Sequence, residues 1–72
     1  MTTSAKFNLF DIIALLTPIP EQKLRIGQVG TIVEILAPEV YEVEFSNNEG
    51  QTYATQALIV DQLLKLHFTP NQ

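Results

Sequence analysis

Three glutamates hold the densest potential chemistry in this chain. Glu42 and Glu44 stand two residues apart in Tyr41-Glu42-Val43-Glu44-Phe45. On a strand, that spacing puts both carboxylates on one face, their side-chain origins about 7 Å apart at about 3.4 Å per residue. Glu34, on a neighbouring strand, would complete a cluster of three if it pointed the same way. Such oxygens could hold a hard cation, and a carboxylate pair could exchange protons with a substrate. Neither use has support elsewhere in the sequence. No Asp/Asn-rich loop of calcium-binding spacing is present, and the alternation makes the glutamates the solvated side of a half-buried strand. We therefore assign no metal and no cofactor, and read Glu34, Glu42 and Glu44 as an outward surface for contact with a partner.

His67 is the single histidine, and Ser4 and Ser46 are the serines available to it. None stands at a spacing diagnostic of nucleophilic catalysis, although a triad assembles in space and not in sequence. Catalytic residues: none, and no enzyme activity is expected. Pro18-Ile19-Pro20 would fall in the long first loop of a small barrel. A proline-rich-peptide groove needs aromatic walls, however. The chain has no Trp, and both tyrosines belong to strands. The two prolines are read as stiffening a loop by fixing φ. Tyr53 has two readings: an amphipathic contact beside Glu42 or Glu44 if it faces outward, core if it faces inward.

The elements that position these residues are short. Seventy-two residues form one domain (residues 1–72, ordered over about 7–68), near the lower limit for folding without staples. With no Cys there is no disulfide or thiolate site, so stability rests on apolar burial, and 46% hydrophobic content serves the fold. No stretch reaches the length of a membrane span, and the N-terminus lacks the apolar run of a signal peptide. A cytoplasmic location with no membrane contact is the expectation. A net charge of −4 argues against nucleic acid as a partner and favours solubility.

Breakers at Pro18, Pro20, Gly27, Gly30, Pro38 and Asn47-Asn48-Glu49-Gly50 divide the chain at strand-length intervals. Phe10–Leu16 is a β-compatible run ending at Pro18, and Thr31–Leu36 is rich in β-branched residues. Tyr41–Phe45 alternates strictly, with Tyr41, Val43 and Phe45 facing the core. Ala37-Pro38-Glu39 links the last two segments as a hairpin, and Asn47–Gly50 turns the chain into Gln51–Ala54. Ala54–Leu66 remains open on pattern alone. Ala57, Val60 and Leu64 suit a helix. The same residues also suit a strand to Leu58, a turn at Val60–Gln62 and a last strand Leu63–His67. We prefer strands, because closing a barrel would remove most exposed edges.

Leu9–Leu15, Gly27–Glu34, Tyr41–Phe45, Gly50–Ala54 and Asp61–Leu64 resemble, in that order, a family of short bacterial proteins, often cyanobacterial, labelled domain of unknown function four-nine-two-six. The resemblance spans about residues 9 to 67. It implies an SH3-like small barrel, which favours strand–turn–strand over residues 54–67, and it imports no catalytic residue. The resemblance also implies gene neighbours that encode toxin-like or uncharacterised proteins, and hence an antitoxin-like or immunity-type partner. Gly27-Gln28-Val29-Gly30-Thr31-Ile32 is also similar to the glycine-containing strand start of RNA-binding SH3-like modules. Glu34, Glu42, Glu44 and Glu49, in the central region, would repel phosphate, and a bent strand needs Gly there in any case.

The sequence thus predicts an all-β fold, a small SH3-like barrel of about five strands with a short turn before the last. Its expected role is a non-catalytic protein-interaction module, with Glu34, Glu42, Glu44 and Tyr53 as partner-binding residues. A self-associating structural domain, covering its open edges as a homo-oligomer, is the alternative. An RNA-binding module ranks below both.

Overall fold

A computed structural model describes residues 7–68 and Pro70. Residues 1–6, Thr69, Asn71 and Gln72, and with them Ser4 and most of the polar ends, lie outside the described residues. Five antiparallel strands form one sheet: β1 (Ile12–Leu15), β2 (Val29–Ala37), β3 (Val40–Ser46), β4 (Thr52–Ile59) and β5 (Leu63–Lys65). Their order across the sheet is β4-β3-β2-β1-β5. The sheet wraps one core into a barrel-like globule.

Alternation governs the centre. Tyr41, Val43 and Phe45 are wholly buried, as their period-two spacing predicts. Phe45 lies across from Ala54 and Tyr41 across from Leu58, so the inward rows of β3 and β4 meet pair by pair. Ile13, Leu15, Leu24, Ile32 and Leu63 fill the rest of the core. The Tyr41 hydroxyl donates to the Pro38 carbonyl at 3.4 Å and accepts from the Phe7 amide at 3.3 Å. Its ring meets Phe7 edge to face, with centroids 5.3 Å apart.

Turn chemistry follows the residues. Pro38 and Glu39 alone connect β2 to β3, with Ala37 paired to Val40. At the next hairpin the Asn47 side-chain oxygen accepts from the amides of Glu49 at 2.8 Å and Gln51 at 3.0 Å. Gly50 takes φ +80°, which a residue without Cβ adopts freely. Gly30 answers a different need. A Cβ there would stand 2.7 Å from Val43 Cγ1 and 2.9 Å from two ring carbons of Phe45. Only glycine lets β2 cross that close to the core.

The C-terminal third is strand, turn and strand. β4 runs to Ile59, a 3-10 turn spans Val60–Gln62, and β5 pairs with β1 through Leu15↔Leu63 and Ile13↔Lys65. Three expectations need correction. Phe10 does not begin the first strand: it has φ +71° and is 70% exposed, while its amide donates to the Ile32 carbonyl. The last strand stops at Lys65, short of His67, although the Leu66 amide still reaches the Ile12 carbonyl at 3.0 Å. The sheet is also not closed by hydrogen bonds, since β4 and β5 stand at opposite ends of its order. Its inward rows curve around the core without joining the two edges.

Candidate functional site

The glutamates do share one face of β2 and β3. Glu34 lies directly across from Glu42, because a bulge at Val33 separates the pairs Ile32↔Val43 and Glu34↔Glu42. Glu44 sits between Thr31 of β2 and Thr55 of β4, and Glu42 faces Ala57 on the β4 side. Facing carboxylates in register repel one another. Glu34 is exposed and Glu42 and Glu44 are half-buried. Among the described residues, no three His, Cys, Asp or Glu are placed to hold a metal ion.

Tyr53 is not a neighbour of this row in register. It is the extra residue of a second bulge, between Phe45↔Ala54 and Ser46↔Thr52. It is 44% exposed, and its hydroxyl accepts from Gln28 Nε2 at 2.6 Å. Tyr53 is therefore a partly exposed tie between the start of β4 and the residue before β2. His67 and Ser46 are both exposed, Ser46 as the last residue of β3 and His67 beyond the end of β5. Pro18 and Pro20 flank Ile19, which bridges to Leu24; Lys23 takes φ 60° to close that turn.

A second surface escaped the sequence reading. Ala14 pairs with Leu64 on one side and Val29 on the other, so the three form one row on the outer face. Leu64 and Val29 are 51% and 50% exposed, and Ala14 between them is 8% exposed. Leu16, on the same alternate set as Ile12 and Ala14, is also exposed, and Ile26 stands in the loop before Val29. Residues Arg25 to Val29 line a shallow surface depression beside that row. The signal was present in the sequence. Ile12–Leu16 is apolar without alternation, so Ile13 and Leu15 can satisfy the core while a second apolar set is left on the other face.

The acidic row and the apolar row lie on the same side of the sheet, on adjoining strands. Thr31 joins them, pairing with Ile12 of β1 and with Glu44 of β3. An ion pair, Lys65 Nζ to Asp11 Oδ2 at 3.3 Å, secures β5 next to the start of β1. The same Asp11 oxygen accepts from the Asn8 amide at 2.8 Å.

An open five-stranded antiparallel sheet curled around a single core, with exposed apolar and acidic rows on its convex side, defines a small all-β domain. The model of the family described as Domain of unknown function (DUF4926) matches residues 9–65, and the chain belongs to that family. No curated protein and no solved structure matches it. No helix among the described residues is long and apolar enough to cross a membrane.

Proposed function

We propose that this protein is a non-catalytic module that binds another protein through the outer face of β5, β1 and the start of β2. The supporting observation is the row Leu64–Ala14–Val29, extended by Leu16, on a chain this small. Apolar side chains gathered on one exposed patch mark contact sites, whereas single ones do not. Glu44 and Glu42, continuing the face, select a partner whose apolar patch has a basic flank. Glu34 reinforces that charge, and Tyr53 adds an amphipathic ring at the far end of β4.

The partner in this reading is the product of an adjacent gene, in an antitoxin-like or immunity-type pair, and the cytoplasm is the compartment. Complete absence of Cys suits a reducing environment. An RNA partner is disfavoured because the same glutamates would face phosphate.

Co-expression of tagged protein with the adjacent gene product tests the reading. The product should co-purify with wild type and be lost from Val29→Glu and Leu64→Glu, both of which alter exposed positions. A wild-type protein that retains no such product, or variants that retain it fully, would overturn the assignment.

A further inference from the structure

The two edges of the sheet are built differently. β5 has three residues and ends in a lysine. β4 has eight, Thr52–Ile59, with no charged residue, no Pro and no Gly. Exposed edges ordinarily carry a charge, a proline or a very short strand, because each is a template for another strand. β5 is guarded in this way and β4 is not.

The open part of β4 can be located. The Val60 amide donates to the Glu39 carbonyl at 3.1 Å, and the register continues through Tyr41↔Leu58, Val43↔Gln56 and Phe45↔Ala54. In an antiparallel ladder such bonded pairs recur every second residue. Ala54, Gln56 and Leu58 therefore direct their backbone groups to β3, and Thr55, Ala57 and Ile59 direct theirs away. At one end Gln62 Oε1 takes the Ile59 amide at 3.0 Å. At the other end the Tyr53 bulge interrupts the edge. Among the described residues, the open stretch is thus centred on Gln56, with Thr55 and Ala57 on either side.

We propose that β4 pairs with β4 of a second copy of this chain, antiparallel, with Gln56 on the two-fold axis. Thr55 of each copy then exchanges backbone hydrogen bonds with Ala57 of the other, and the two sheets continue into one of ten strands. The contact is isologous, so it closes at two copies. Gln56 meets Gln56, a side chain that both donates and accepts and so matches itself. Charge favours the same occupant. No ionised side chain between Thr52 and Ile59 is brought against another. The repelling groups on the adjoining strand, Glu42 and Glu44 of β3, lie three strand spacings from their counterparts, about 14 Å at about 4.8 Å each. That exceeds the screening length of about 8 Å at physiological salt. Pairing of β4 with β5 of another copy would offer only three residues, in a heterologous contact with no two-fold axis. This edge is separate from the apolar row Leu64–Ala14–Val29, so substitutions in that row test partner retention without touching the dimer contact.

Sedimentation equilibrium over a wide concentration range, at physiological salt, tests it. Wild type should pass from 8.1 kDa to twice that mass and stop there. Ala57→Lys and, separately, Thr55→Lys set two charges next to the axis at exposed positions. Each should weaken the dimer at least tenfold with an unchanged circular dichroism spectrum, whereas Val29→Glu and Leu64→Glu, on the far strands, should leave the dimer intact. Lowering the salt toward 10 mM, where screening extends to about 30 Å, should weaken the wild-type dimer. A wild-type protein that stays monomeric, a mass that climbs past two copies, or a dimer untouched by both substitutions would overturn the proposal.

Discussion

The convex side of the sheet divides into two regions that share strand β2 and little else. Around Ala14 the exposed side chains are Leu64, Val29 and Leu16; around Glu42 they are Glu34, Ala57 and, half-buried, Glu44. Both regions rest on the same core, and both begin as strands of similar β propensity. The difference lies in the second periodic set. In β3 the residues between the core positions are glutamates, so the outer surface is hydrated. In β1 they are Ile12 and Ala14, and the outer surface stays apolar. A small protein can thus divide one sheet between adhesion and solubility by changing which residues fill alternate positions.

Removing what the two regions share should have the largest effect. Phe45→Ala would leave a cavity under both, because Phe45 is wholly buried across from Gly30 and Ala54. A loss of about 3–5 kcal/mol is expected, enough to leave the domain mostly unfolded, read by urea denaturation. Gly30→Ala acts at the crossing of the two regions, since Gly30 pairs with Ile13 on one side and Phe45 on the other. Crowding against Val43 and Phe45 should cost about 1–3 kcal/mol. An unchanged midpoint would show that β2 can move aside. Single substitutions in the two outer regions should then separate adhesion from stability. Leu64→Gln should shift stability by no more than about 0.5 kcal/mol while markedly weakening retention of the partner. A large drop in melting temperature would instead make Leu64 a core residue in function. The smallest effect belongs to the acidic region. Glu42→Gln removes one member of a facing like-charged pair and should stabilise by a few tenths of a kcal/mol, up to about 1. The gain should fade as salt is raised, which thermal melts at two ionic strengths can check.

Legibility in the sequence followed the clarity of alternation. Tyr41–Phe45 announced its own inward face, and the Asn47–Gly50 turn announced its own geometry. Edge closure and then the resemblance tipped Ala54–Leu66 toward strand and turn, because Ala57, Val60 and Leu64 satisfy a helical spacing equally well. Phe10 was misplaced: a local pattern cannot show that the backbone adopts φ +71° there. The glutamate row was legible as a face, but the bulge that sets Glu34 against Glu42 depends on pairing, which no single strand reveals. The apolar row was missed because an apolar run without alternation reads as complete burial. Whether its second face is covered depends on what lies across that face.

The pairing of β1 with β5 joins residues some fifty positions apart, Ile13 with Lys65 among them, whereas β3 and β4 are joined across a tight turn. Loop closure makes distant pairings late and local ones early. The strands bearing the apolar row should therefore be the last to dock during folding and the first to release. Amide exchange in Leu63–Lys65 should outpace that in Tyr41–Phe45. The adhesive surface is then completed only by the final step of folding, and an unfinished chain would not present it.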